Sequence, residues 1–283
     1  MSAAYTVLEP PVEWAGVIDS IWVQEAAATD ARGAPPTTVL PTGTPELLVY
    51  FGDPFVEQTP RGAEPHAAAV FGGQRSRAIV VRATGRTGVV AIRFHPWGAA
   101  AVTDVPVDAL LDRFVPLDEL YGARDTCELL EQVHGAASPH QRAGAVLEFL
   151  ARRRVRHALD AAAVRAAIEI KRADPSIGNL GRQVGVGPRQ LRRRFRETVG
   201  IGPKAFSRLL RLQEAIWHRR NGAEWSDVAF SCGYHDQAHL IHAWRDVTAT
   251  SPARCLDRRP ESALGRFYRT GRGLTDFYNT AYL

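Results

Sequence analysis

Two stretches decide the fold: LGRQVGVGPRQLRRRFRETVGIGP at 180–203 and VAFSCGYHDQAHLIHAWRDVTATSP at 228–252. Residues 180–185 lie over 228–233 at an offset of 48. Leu191, Phe195 and Pro203 lie over Leu240, Trp244 and Pro252 at an offset of 49. The one-residue slip falls inside the turn, where an insertion is cheap. Each copy reads as a short helix, a glycine turn and a second helix. The glycine releases the chain from one helix and lets the next start at a steep angle. Ser176 and Ser226 stand where N-caps would open the first helix of each unit, Pro188 suits the first turn of the next, and Asp236 is placed to cap its counterpart.

On a helical wheel the second helix of the first unit separates cleanly. Leu191, Phe195 and Thr198 share one side, while Arg189, Arg192, Arg193 and Arg196 recur at i, i+3, i+4 and i+7 on the other. Like charges on one stripe repel, so this stripe is poorly explained as a stabilising device. Phosphate and base-edge contacts explain it well, because the arginine fork donates two hydrogen bonds to guanine O6 and N7. In the second unit Leu240, Trp244 and Val247 form the apolar face. Ala238, Ile241, His242 and Arg245 take the outward positions, with Gln237 and His239 beside them. That helix carries less charge and suits thymine methyls or the DNA backbone. His235, His239 and His242 lack an acidic or cysteine partner at ligand spacing other than Asp236, so they are read as polar surface and not as a metal site.

Between the units, Pro203–Arg220 has helical apolar spacing through Phe206, Leu209, Leu210, Leu212, Ile216 and Trp217. Eighteen residues of helix span about 27 Å. Two reading helices on such a rod suit successive major-groove segments, which lie about 34 Å apart. Lys204, Arg208, Arg211, Arg219 and Arg220 lie along it, placed to neutralise phosphates.

Charge divides the chain in the same way. Residues 1–136 hold 9 basic and 17 acidic side chains (net −8), and residues 137–283 hold 26 and 13 (net +13), giving +5 overall. An acidic half joined to a basic half points to two tasks, the basic one directed at a polyanion.

The segments 189–206 and 233–252 resemble the two helix-turn-helix units of AraC-type transcription regulators, and the resemblance covers about 95 residues including the slip between repeats. It implies a seven-helix module that binds one face of promoter DNA. Carried over residue by residue, the family's base-contacting positions match Arg189, Gln190, Arg192 and Arg193 in the first unit. In the second they match Gln237, Ala238, Ile241 and His242. The family commonly has a basic residue where this chain has His242, and an aromatic one where it has Cys255. The DNA-binding set is completed by Arg196, Lys204, Arg208 and Arg245.

The first half reads as β-rich. Val17–Val23, Glu46–Phe51, Ala78–Ala83 and Val89–Phe94 carry β-branched and aromatic residues between glycine and proline clusters, the punctuation of a meander or small barrel. From Gly98 the pattern turns helical, clearest at Asp125–His134 and Gln141–Arg153. The stretches 41–53, 70–74 and 91–99 resemble the N-terminal domain of many actinobacterial AraC-type regulators, which implies a cupin-like sensor followed by helices. Trp22, Tyr50, Arg93 and His95, with Trp97 beside them, are the candidate effector-pocket residues, since aromatic walls plus a cation suit an anionic or aromatic ligand. Trp22 and Tyr50 read equally as plain core. His66 and His95 amount to half a cupin metal site at most.

The expected class is α+β, with four segments. Residues 1–135 form a β-rich sensor domain with a helical end, 136–160 a linker and connecting helix, 161–258 the double helix-turn-helix domain, and 259–283 a polar tail whose few aromatics would dock onto the body. The helical stretch 138–158 offers Val146, Leu147, Phe149 and Leu150 either to a partner chain or to its own. The expected partners are double-stranded promoter DNA, RNA polymerase, a small-molecule effector and a second copy of the chain, with no cofactor and no membrane. At 45% hydrophobic residues with no apolar run of membrane length, the chain is neither disordered nor membrane-spanning. The start MSAAYTVLEPPVEW lacks a basic-then-apolar signal, and three scattered cysteines fit a cytoplasmic protein without a disulfide framework. The alternative, a DNA-repair alkyl transferase fused to such a module, needs a zinc-held acceptor cysteine. The first half has only Cys127, and no hydrolase, metalloprotease or phosphate-loop pattern occurs.

Overall fold

The structure, a computed structural model, describes residues 4–26, 36–153, 159–173 and 176–252. The expectations for Cys255 and the 259–283 tail lie outside these residues. The strands are β1 (Ala4–Leu8), β2 (Ile18–Ala26), β3 (Thr37–Val39), β4 (Glu46–Tyr50), β5 (Val56–Thr59), β6 (Gly62–Pro65), β7 (Ala69–Gly72), β8 (Ile79–Arg82), β9 (Thr87–Phe94) and β10 (Phe114–Pro116). The helices are α1 (Leu117–Tyr121), α2 (Ala123–Gly135), α3 (Pro139–Arg153), α4 (Ala161–Ala173), α5 (Ile177–Val184), α6 (Pro188–Val199), α7 (Pro203–Arg220), α8 (Trp225–Ser231) and α9 (Gln237–Thr248). Single 3-10 turns occur at Val12–Trp14, Gly98–Ala101 and Val107–Leu110.

TGVVAIRF at β9 is apolar on nearly every residue rather than every second one, and all eight residues are buried. A strand of that kind must lie mid-sheet with both faces covered. Accordingly β9 is third in an antiparallel sheet ordered β1-β2-β9-β4-β7-β10. Its register sets Val90 against Val23 and Val49, and Ala91 against Trp22 and Leu48. A second sheet, β3-β8-β5-β6, covers one face. Between the sheets lie Trp22, Leu48, Tyr50, Val70, Val81, Val89 and Ala91. On the opposite face Val90, Ile92 and Phe94 pack with Leu129 and Val133 of α2 and with Val146, Phe149 and Leu150 of α3.

The apolar stripe of α3 is therefore spent on its own chain. Val146, Phe149 and Leu150 are all fully buried there, and Leu147 packs against the same core. Burial of each such side chain stabilises by about 1.5–3 kcal/mol. The bend at 136–138 interrupts the helices only briefly, between Gly135 and Pro139. Strand β10 (FVP) appears where a purely helical run was expected after Gly98. Its three residues pair with β7 and carry too little alternation to be read from sequence.

The helical module has two cores. Leu191, Phe195 and Val199 of α6 pack with Ala166, Ala167 and Ile170 of α4 and with Phe206, Leu209 and Leu212 of α7. Val228, Ala229, Cys232, Tyr234 and Leu240 pack against Ala215 in the second half of α7. Trp244 joins the first core and meets Trp225 edge to face at 5.9 Å, tying the units together.

Candidate nucleic-acid interface

Three of the four helix starts expected from sequence are observed. Ser176 Oγ accepts from the Asn179 amide at 3.3 Å and caps α5. Gly185 ends it in the left-handed region at φ 73°, and Gly233 repeats this at φ 69°. Pro188 stands at the start of α6, and Asp236 caps α9 through the His239 amide at 2.7 Å. One expected cap is wrong. Helix α8 begins at Trp225 with Glu224 in the N-cap position and no side-chain cap bond, so Ser226 lies inside the first turn.

Five arginines crowd α6, and the fold sorts them. Arg194 turns inward, and its fork meets Asp160 with Nε and Nη2 at 2.5 and 2.9 Å. Asp160 also accepts from the Ala163 amide at 2.9 Å and so caps α4. Burial pushes the Asp160 carboxyl up, but the bonds from Arg194 and Ala163 outweigh it and hold the pKa below its ordinary value. Arg189, Arg192, Arg193 and Arg196 are exposed on the side opposite Leu191 and Phe195, and Gln190 is exposed with them. Arg193 pairs with Glu197 at 3.3 Å, and Arg196 with Asp108 of the β-rich half at 3.3 Å. Such exposed pairs are weak and give way to a stronger anion.

Lys204 and Arg208 are exposed on α7, with Arg208 3.8 Å from Asp246. Arg211 and Arg219 are engaged within the chain. Arg211 lies over the Tyr234 ring at 5.6 Å, and Arg219 lies over Trp225 at 5.2 Å while donating to the Ala223 carbonyl at 3.0 Å. On α9, Gln237, Ala238, His242 and Arg245 are exposed, whereas Ile241 is half-buried against the second core. His239 Nδ1 faces the His235 amide at 3.3 Å and His235 pairs with Asp236 at 3.1 Å, a local cap network.

The β-rich half contacts three helices of the module, α6, α7 and α9. The loop after β3 brings Gly43, at φ 78°, so close to α7 that a Cβ there would stand 3.2 Å from Phe206. The Gln74 amide donates to the Gly43 carbonyl at 2.8 Å, and Gln213 of α7 donates to the Pro41 carbonyl. Gly200, the α6 C-cap at φ 89°, presses on Gln74 and Val107. The Ala78 amide donates to the Val247 carbonyl of α9 at 2.8 Å. Trp97 is buried in the core of the helical module and donates to the Gly16 carbonyl at 2.9 Å. The sequence singles out Trp97 as a pocket wall, not as a junction residue, and the contacts of the others are not legible there, because each acts through a partner far along the chain.

The candidate effector residues, Trp97 included, do not converge. Trp22, Tyr50 and Arg93 share the face between the sheets, where Arg93 is held by Glu46 at 2.8 Å and Tyr50 by His66 at 2.7 Å. His95 lies past the end of β9 at the domain junction, stacked on Trp97 at 5.2 Å, with Nε2 3.0 Å from the Ala15 carbonyl and Nδ1 3.9 Å from Asp19. Burial lowers its pKa, against the pull of Asp19. A small cleft does open at the rim of the sheets, lined by Leu40, Thr42, Thr44, Glu46, Arg75 and Phe114 among others. The Arg75 guanidinium lies 4.0 Å from the centre of the Phe114 ring.

Residues 180–258 match a family described as a helix-turn-helix domain. They are a helix-turn-helix domain of the AraC type. With this AraC-type module the chain is a DNA-binding transcription regulator. Residues 6–116 match a domain of unknown function, DUF6597. Solved structures similar to this chain include the C-terminal domain of AraT, a response regulator from Geobacillus stearothermophilus, at 19% identity over 36% of this chain and 89% of that one, TM-score 0.34. ToxT from Vibrio cholerae is similar at 10% identity over 90% and 97%, TM-score 0.46. The AraC-like transcriptional activator CuxR is similar at 13% identity over 76% and 87%, TM-score 0.26. No curated protein matches. Among the described residues no helix is long and apolar enough to cross a membrane.

Proposed function

We propose that the chain reads two successive major-groove segments of promoter DNA, one with residues 188–198 of α6 and one with 236–247 around α9. Arg189, Gln190, Arg192 and Arg193 face base edges in the first segment, and Gln237, Ala238 and His242 in the second, with only the edge of Ile241 available. Arg196, Lys204, Arg208 and Arg245 serve phosphates. The observation that carries this is the sorting of α6: Leu191, Phe195 and Arg194 are spent on the fold, while the remaining four arginines stay at the surface.

Residues 1–135 act as the regulatory part, with 161–258 as the reader. The rim cleft holds only about 40 Å³, so a small anionic or aromatic effector drawn by Arg75, in competition with Glu57, and by Phe114 would enter only by displacing the loops at 40–44 and 73–78, which grip α7 and α9. Such a ligand shifts DNA affinity only as far as it discriminates between the two arrangements of those loops. The chain acts by occupying DNA, as a pair of copies beside RNA polymerase, and carries out no covalent chemistry. The repair-enzyme alternative would have to use Cys127, which is exposed on α2.

Footprinting on genomic DNA fragments enriched by the chain tests the reading. Expected are two protected major-groove patches per copy, about 10 base pairs apart. Protection of a single patch, or of minor groove only, contradicts it.

A further inference from the structure

Glu214, His218 and Cys232, none of them in the proposed DNA-binding set, bring three different ligand types together. Glu214 and His218 are one turn apart on α7, so carboxylate and imidazole project from the same face. Their Oε1 and Nε2 atoms are 3.9 Å apart. Cys232 is the residue that ends α8, just before the left-handed turn at Gly233. Its sulfur, the imidazole nitrogen and the carboxylate oxygen all lie within 4.8 Å of one another. We propose that these three side chains form a zinc site that fastens the long helix to the first helix of the second reading unit.

The chemistry selects the ion. One thiolate, one imidazole and one carboxylate are a donor set for a borderline-soft divalent ion, and zinc takes such sets tetrahedrally. Zinc–ligand bonds of about 2.0–2.3 Å give edges of roughly 3.3–3.8 Å between ligand atoms. Separations of no more than 4.8 Å need to close by at most about 1.5 Å, within reach of two half-buried side chains on one helix. Cys232 is buried, whereas Glu214 and His218 are half-buried, which leaves an outer side for entry and for water as fourth ligand. The Trp217 ring meets the His218 ring edge-on at 4.9 Å and limits its swing.

The thiol is not something the fold requires. At the equivalent place in the first unit, 48 residues earlier, stands Val184. An apolar side chain serves at that turn, half-buried where Cys232 is buried, so a cysteine beside a carboxylate and an imidazole adds chemistry that the first unit lacks. Burial, reinforced by Glu214, pushes the Cys232 thiol up to about 12, against the opposing pull of Arg211. Without metal the sulfur keeps its proton. Binding exchanges that proton for the ion and releases it to solvent, as thiolate coordination does elsewhere.

The test uses untagged full-length protein stripped with a chelator and titrated with Zn2+ alone, and separately with Co2+ as a coloured substitute. Expected are one zinc per chain at micromolar or lower concentration, a rise in the unfolding midpoint, and a thiolate-to-cobalt charge-transfer band. Cys232→Val, which copies the first unit, should abolish the band. His218→Ala and Glu214→Gln should each weaken binding at least about tenfold, and Cys127→Ser should change nothing. Should Cys232→Val fail to fold, the two half-buried positions on α7 decide the matter. Absent one-to-one binding, a band that survives Cys232→Val, or undiminished affinity in both α7 variants overturns the proposal.

Discussion

Arg193 and Arg194 are neighbours in sequence with opposite tasks. One full step around the helix turns Arg194 onto Asp160 and leaves Arg193 facing out beside Glu197. Arg193→Ala should therefore weaken DNA binding by about 1–3 kcal/mol and relax preference at one base pair. Its unfolding midpoint should stay where it was. Arg194→Ala should do the reverse, lowering the midpoint while the reading face stays intact. A denaturation curve paired with a binding isotherm for each variant checks both. Asp160 adds a pH signature. Its folded-state pKa is lowered, so its stabilisation is present above the ordinary carboxylate value of 3.8 and is lost as pH falls below it. Asp160→Asn should flatten that acid limb in a comparison of midpoints. At this scale the sequence was only partly legible. The wheel separated four outward arginines from Leu191 and Phe195, but it could not say which carboxylate would receive Arg194, because Asp160 lies on another helix.

The elements were most legible where a single period runs long. The repeat, its glycine turns and the rod at 203–220 all follow from spacing, and β2, β4, β8 and β9 follow from β-branched runs between turn residues. Strands such as VEQT at β5 and GAEP at β6 carry neither alternation nor bulk, and only pairing makes them strands. Likewise AVFG at β7 is buried throughout, a run too short to tell from any other apolar patch. The misplaced cap at Ser226 has a similar cause: the offset of the repeat points to Glu224, and a serine nearby was the better capping residue on propensity alone. Glycine at the end of α6 has a more definite meaning. Gly200 is left-handed, and a Cβ there would come within 3.1 Å of Gln74 and 3.2 Å of Val107. Gly200→Ala should cost about 1–2 kcal/mol from the backbone alone and more from the contact. The loss should be visible as a lower urea midpoint, together with looser docking of the first unit.

Across the whole molecule, three loops of the β-rich half grip α6, α7 and α9. That junction joins Gly43 to Phe206, Ala78 to Val247 and Asp108 to Arg196, pairs separated by tens of residues or more in sequence and invisible to any local pattern. The charge contrast between the halves announced two tasks but not their contact. His95 is a titratable group at this junction, facing Asp19 and Ala15 on its own half and Lys171 on α4. Burial lowers its pKa from the ordinary 6.5, so the folded state favours the neutral ring. Stability is then fully present above that value and declines as pH falls below it. The urea midpoint should drop between about pH 7.5 and about pH 5.5, and His95→Gln should lessen the drop. A pH-independent native midpoint, or an undiminished drop in the variant, contradicts this role.

The salt dependence of DNA binding tests the central claim most directly. Affinities for one enriched fragment, measured from about 50 to about 200 mM salt, should fall steeply for the native chain. In a variant with alanine at 189, 192 and 193 the slope should shrink by roughly one unit for each arginine removed from a phosphate, with affinity much reduced. Equal slopes and equal affinities for the two proteins would show that the exposed ridge of α6 does not meet DNA.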